Sequence, residues 1–393
     1  MAETVKLYHA DPLLHDFAAT VVAHGRLGDA PSVVLDQTAF YPESGGQMAD
    51  RGVLAGAAVR DVQVDDDGVI HHVVEGPLPD VGASVAGTID RARRRVHMAL
   101  HTGQHMLSRA LVDVARAETV SARLGETACT IDVDLAKIEE RDLARAEELV
   151  NSVIDDDAPI RAFFPDPAEL AALPLRRQPK VASNIRVVAI GDFDVSPCGG
   201  THCLRTAQVG FVRLTGVERY KGKIRVTFAS GRRARDELGA QAQLLVGLGR
   251  ELTCGPAEVP TALAKLRRDL QETREALGAA RARLMDRLAD ALLAEGAPVV
   301  TALVEDADAE ALRILAKRIT GEPGRVALLA AAGPEGILIL AARGAGSTFD
   351  CGAFIKRTAA AHGGRGGGRP EIAEGRLPAG AVDAESWRRL GQS

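Results

Sequence analysis

Two short stretches hold the side chains best suited to chemistry. In Pro197-Cys198-Gly199-Gly200-Thr201-His202, a thiol and an imidazole stand four positions apart, separated by glycines that let the backbone turn sharply. Upstream, His101 and His105 lie i and i+4 within a helical pattern, so both rings leave the same face. Thiolate and imidazole are ligands that zinc favours, and a helix dyad plus a loop dyad supply the two halves of one tetrahedral site, one Zn2+ per chain. With all four ligating, such a site is closed and structural; with one displaced, an open position takes water or substrate. Thr102 stands where an HExxH protease would carry its general-base glutamate, which argues against that class. Cys203 breaks the i, i+4 relation and reads as packing. His9, His15, His24, His71 and His72 read as satisfied core residues, and no residue presents itself as a general base.

The rest of the chain must position these groups. Its 393 residues, 46% apolar, can bury cores for about two to four domains. A net charge of −5 gives no general attraction to polyanions, so contact with nucleic acid must come from local clusters. Those clusters are Arg91 to Arg95, Arg176-Arg177 with Lys180, Arg219 to Arg225, and Arg232-Arg233 with Arg235. Aromatic content of 3% argues against recognition by stacking on many bases. The five scattered cysteines fit a reducing compartment better than a disulfide framework. With no signal peptide and no apolar run of about 18 residues, a cytoplasmic location off the membrane is expected.

The expected fold is α+β and multidomain. Residues 1–89 read as short strands with Gly, Pro and Asp turns, a small glycine-containing β-barrel. Within it, Asp36 to Gln47 is a polar loop able to present hydroxyl and amide groups to a small ligand. Residues 90–231 alternate helices with antiparallel strands around the two dyads, with Asp90 as a helix cap. Residues 232–296 form a helical connector in which Leu263, Leu270, Leu277 and Leu284 recur at sevens with Leu266 beside them; a helical hairpin and a homodimer contact both fit. Residues 297–393 alternate strands and a helix, then reach the glycine-rich run His362 to Pro370, read as a loop whose amides and guanidinium groups contact an anion.

Three motifs in order carry a family resemblance. His101-Thr102-Gly103-Gln104-His105, Cys198-Gly199-Gly200-Thr201-His202 and the Thr38 to Gln47 stretch resemble the editing domain of alanyl-tRNA synthetase, and most closely the stand-alone AlaX-type editing proteins in their long form. The run Gly364 to Pro370 resembles the glycine-rich motif of the DHH-associated domain that ends those synthetases. The resemblance implies a zinc-dependent hydrolase that deacylates mischarged tRNA(Ala), chiefly Ser-tRNA(Ala) with Gly-tRNA(Ala) as a second candidate. Ala-tRNA(Ala) is spared. It makes His101, His105, Cys198 and His202 the metal ligands and Thr38 and Gln47 the groups that read the serine hydroxyl. Backbone at Gly45, Gly46, Gly199 and Gly200 would lie against the substrate, and Arg365 and Arg369 would grip the tRNA body. Since the chain starts in the barrel, no aminoacylation is expected.

The chemistry stands independently of the resemblance. A pocket shaped for alanine rejects an added hydroxyl only modestly and cannot exclude glycine by size. A second site that hydrogen-bonds the hydroxyl discriminates strongly, because alanine leaves its buried polar groups unpaired. Two other readings remain open at this point: a non-catalytic tRNA-binding module with structural zinc, and a general zinc esterase acting on small esters.

Overall fold

The computed structural model describes residues 3–179, 181–333 and 335–390; Lys180 of the second basic cluster lies outside the described residues. The chain divides into two units, Met1–Gly247 and Leu248–Ser393. In the first, six strands close into a barrel in the order Asp16–Leu27, Ala30–Leu35, Ile70–Glu75, Ala57–Val64, Gly52–Leu54, Ser84–Ile89. The period-2 patterning explains the closure. Ser84–Ile89 alternates exposed and buried residues without a break, sending Val85 and Ile89 inward to Val33, Leu35, Val62 and Ile70.

Residues 36–50 leave the barrel as the polar loop singled out above. One ion pair fixes it to the helix that follows. Arg94 Nε donates to Asp50 Oδ1 (3.1 Å) and Oδ2 (3.0 Å), while its Nη groups donate to the carbonyls of Pro12 (2.7 Å) and Ala39 (2.6 Å). Asp50 Oδ2 also accepts from the Tyr41 N–H (2.6 Å). Arg94 is therefore an internal fastener, a correction to its place in a basic surface cluster. Arg176 is a second such correction: its side chain is 5% exposed and paired with Asp194.

The helix Arg91–Ala115 starts at Asp90, whose carboxylate accepts from the Arg93 N–H (3.0 Å), and ends where Arg116 turns left-handed at φ 53°. It is buried on most sides from Met98 to Leu111 because it lies on a four-stranded antiparallel sheet, ordered Val212–Tyr220, Lys223–Ser230, Cys129–Val133, Thr119–Leu124. Gly103 permits the close approach: a Cβ there would stand 3.1 Å from Ser230. The helix Glu140–Asp155 packs beside it, sending Leu143, Ala146, Val150 and Ile154 into the same core. A three-stranded sheet, Ile160–Phe163, Val187–Ile190 and Asp194–Pro197, delivers the chain to Cys198.

In the second unit a five-stranded sheet runs Val299–Val304, Val326–Gly333, Gly336–Arg343, Ile372–Leu377, Arg365–Gly368. Helix Ala309–Thr320 contributes to one of its cores; helix Cys351–Ala361 and Trp387 contribute to another. The glycine-rich run is not a loop: Arg365–Gly368 is an edge strand whose residues pair with Ala373 to Arg376. Its glycines are there for contact, since a Cβ on Gly366 would meet Gly375 Cα and Ile355 at 2.7 Å. Leu263, Leu266, Leu270, Leu277 and Leu284 lie on one 36-residue helix, Val259–Ala294, and are 41–61% exposed. No helix among the described residues is long and apolar enough to cross a membrane.

Removing Asp50 would strand a buried guanidinium. Asp50→Ala is expected to destabilise the first unit by about 3–5 kcal/mol, read by chemical unfolding, whereas the double change Arg94→Met with Asp50→Leu recovers most of that loss.

Candidate metal centre

The two dyads meet. The ligand atoms of His101, His105, Cys198 and His202 all lie within 4.8 Å of one another. Cys198 Sγ is 3.3 Å from His202 Nε2 and 3.5 Å from His101 Nε2. Tetrahedral bonds of about 2.0–2.3 Å to N and S place neighbouring ligands roughly 3.3–3.8 Å apart, so the set has the spacing for zinc.

The outward-facing ring nitrogens show why the lone pairs point inward. Gln47 Oε1 accepts from the Thr201 backbone N–H (3.1 Å), a group that can only donate, and this settles which way the amide faces. The same oxygen lies 2.7 Å from His101 Nδ1, so that nitrogen carries the proton and Nε2 is left free for a metal. His105 Nδ1 makes no hydrogen bond but faces Asp194 Oδ2 at 3.4 Å, and the carboxylate's charge favours the proton on that nitrogen. Thr102 Oγ1 lies 3.2 Å from His202 Nδ1 and accepts from the Cys203 N–H (3.0 Å). Arg176 donates to both oxygens of Asp194 (2.7 and 3.2 Å), and Ser196 Oγ donates to it as well. These outer partners fix ring orientation and raise ligand basicity.

Electrostatics favour a thiolate at Cys198 and a neutral ring at His202, whereas at His105 burial is outweighed by Cys198 and Asp194, which raise its pKa, so a metal would have to displace that proton. Burial works against a Cys198 thiolate, but His101, His105 and His202 hold its pKa well below the ordinary thiol value. Burial, assisted by His101, pushes His202 down to about 3, so its ring is neutral. Burial also opposes ionisation of Asp194, yet His105 and Arg176 hold its pKa at about 2.

The loop that carries Cys198 is clamped from outside. Arg186 Nη1 donates to the carbonyls of Cys198 (3.0 Å) and Gly200 (2.8 Å), while its buried Nε has no partner. Gly200 N–H donates to Cys198 Sγ (3.4 Å). Only glycine fits at position 200, since a Cβ would lie 2.1 Å from the His101 ring; at Gly199 a Cβ would meet nothing within 4 Å. The His9 Nε2–H donates to the Gly199 carbonyl (3.1 Å), and the ring is kept neutral by burial and Arg186, which push its pKa to about 4.

The other predicted residues fall as follows. Gln47 also donates from Nε2 to Thr201 Oγ1 (2.8 Å), which leaves one amide hydrogen uncommitted. Thr38 Oγ1 lies 2.8 Å from His72 Nε2 and accepts from the Phe40 N–H (3.1 Å). His72 Nδ1 donates to the Val33 carbonyl (3.0 Å), so the Thr38 hydroxyl is the donor to Nε2 and keeps one lone pair. Gly45 and Gly46 adopt φ 58° and 87°; a Cβ on Gly46 would strike the Ala122 carbonyl at 2.4 Å, so this turn is seated against the Thr119–Leu124 strand. Arg365 and Arg369 are exposed in the second unit. Sequence reasoning passed over Asp194, Thr201, Arg186 and His9. The Asp194-x-Ser-x-Cys spacing is the one local hint among them.

Residues 185–227 match the threonyl and alanyl tRNA synthetase second additional domain, residues 14–93 the class II (A) tRNA synthetases, and residues 296–386 the DHHA1 domain. The alanine–tRNA ligase of Archaeoglobus fulgidus is 33% identical over 95% of this chain and 42% of its own length; that of Pyrococcus abyssi is 32% identical over 96% and 42%. The chain thus spans about two fifths of the ligases it matches. The alanyl-tRNA editing protein AlaX-L of Pyrococcus horikoshii is 30% identical, with 95% of each chain covered. Fold and matches together define a protein built from synthetase accessory domains. Within that class, the chain belongs to the AlaX-type alanyl-tRNA editing proteins in their long form.

Two variants probe the centre without touching a ligand. Asp194→Asn is expected to lower zinc affinity about 10- to 100-fold in a chelator competition. Gly200→Ala is expected to abolish stoichiometric zinc binding, measured by elemental analysis of folded protein.

Proposed function

We propose that this protein is a trans-editing hydrolase of mischarged tRNA(Ala), acting chiefly on Ser-tRNA(Ala), more slowly on Gly-tRNA(Ala), and sparing Ala-tRNA(Ala). The observation that carries this reading is the double engagement of Gln47. From the barrel loop it holds the ring of His101 and the backbone of Thr201 at once, which puts the polar loop and the metal centre in one site.

In the reaction a water oxygen attacks the ester carbonyl, the bond from that carbon to the ribose oxygen breaks, and the proton ends on the ribose hydroxyl. Zinc, held by His101, His105, Cys198 and His202, would supply a Lewis-acidic centre beside the ester where one of the four gives up its place to water or substrate. The chain's own residues set the geometry. Arg186 fixes the carbonyls of the Cys198 loop so that the loop keeps its shape when substrate arrives. The remaining lone pair of Thr38 and the remaining amide hydrogen of Gln47 are the acceptor and donor assigned to the serine hydroxyl. Alanine leaves both unpaired in a buried place, which is the discrimination. Glycine also lacks the hydroxyl, but with no side chain it leaves room for a water to pair with both groups, hence its slower turnover.

Arg365 and Arg369 are assigned to the tRNA body, and the exposed leucines of the Val259–Ala294 helix to a second copy of the chain. A deacylation assay with Ser-, Gly- and Ala-tRNA(Ala) tests the reading. Serine release is expected to be fastest and alanine release absent. Thr38→Val is expected to slow serine release about 5- to 100-fold, from the loss of one buried hydrogen bond. Affinity for tRNA should fall steeply with salt. Zinc-loaded protein that binds tRNA but releases no serine would instead be a non-catalytic tRNA-binding module.

A further inference from the structure

Phe164 is the only Phe, Tyr or Trp that is exposed among the described residues, at 47%, in a chain that is 3% aromatic. It follows directly on the Ile160–Phe163 strand, and its ring lies 5.8 Å from that of His9. His9 in turn is held by the Gly199 carbonyl and sits edge-on to Tyr8 at 4.7 Å; Tyr8 meets Tyr41 at 5.4 Å. A file of four rings therefore runs inward from the surface, and its second ring, His9, touches the loop that carries Cys198. Open space above Gly199 flanks this file. From the segment before the Val187–Ile190 strand, exposed Arg177 donates to the Pro197 carbonyl, next to Cys198 (3.2 Å).

We infer that Phe164 is the platform on which the 3′-terminal base of the charged tRNA stacks, with His9, tilted 58° to it, bounding the base on the side of Gly199. The inference rests on the hydrolase reading and adds to it the site of the nucleotide. An aminoacyl ester cannot reach the metal centre unless the terminal ribose comes with it, so the attached base must lie within one nucleoside's length of Gly199. The exposed phenyl ring offers the flat apolar face that bases prefer, the neutral imidazole bounds it, and Arg177, beside Pro197, meets the 5′ phosphate of the same nucleotide. One such platform is compatible with a low aromatic content, because only the last base needs it.

The test uses full-length zinc-loaded protein and a seryl-amide analogue of the charged tRNA carrying 2-aminopurine as its terminal base. Binding to the wild type is expected to quench 2-aminopurine fluorescence. Phe164→Ala is expected to remove the quench and raise KM for Ser-tRNA(Ala) roughly 5- to 100-fold with kcat little changed, the worth of one base–aromatic stack. Phe164→Trp is expected to restore both. Phe164 is exposed, so folding and zinc content should not change. Wild-type protein that hydrolyses Ser-tRNA(Ala) without quenching the probe, or Phe164→Ala that leaves quench and KM intact, would overturn the platform. A full Phe164-dependent quench without hydrolysis would support the platform and refute the hydrolase reading.

Discussion

The structure depends on settling where three buried imidazoles keep their protons. A histidine can offer a lone pair to a metal only if its other nitrogen has somewhere to donate, and each ring here has been given an outer partner of its own. His101 has Gln47, His105 has Asp194 and His202 has Thr102. These partners come from three separate parts of the first unit: the barrel loop, the strand before the Cys198 loop and the helix itself. The centre is thus the place where those parts are held in register, and the barrel's contribution is not separable from it.

The same logic explains the investment in buried charge around the site. Asp194 would be a costly bare carboxylate at this depth, and Arg176 offsets the cost while Ser196 adds a hydrogen bond. Asp50 and Arg94 repeat the arrangement where the loop meets the helix. In neither place is the arginine available to a polyanion. Arg186 differs from both in facing a thiolate instead of a carboxylate: Nη1 grips two backbone carbonyls and its charge lies toward Cys198.

The parts of the site that were legible from residue order alone were those set by local geometry. An i, i+4 pair on a helix and a Cys-Gly-Gly-Thr-His turn announce their ligands because spacing determines direction. The barrel strands could be read because alternation and turn residues are local too, as in Ser84–Ile89. Partnerships such as His105 with Asp194 join residues far apart in the chain, and no periodicity encodes them. Basic clusters misled for a related reason: formal charge does not distinguish Arg94, which is buried on Asp50, from Arg91 and Arg95, which are exposed. The glycine run in the second unit was misread because glycine has no strand preference of its own; the strand is imposed by pairing with Ile372–Leu377.

That edge strand has a consequence for solubility. Arg365–Gly368 is the last strand of its sheet, with all four residues exposed, which would ordinarily invite another chain to add on. Three glycines offer such a visitor no side chains to grip, and the arginine adds a charge that repels a second copy of itself. The shortness and bareness that let helix Cys351–Ala361 sit close thus also protect the sheet from growing, so bulkier side chains here would threaten aggregation as well as packing.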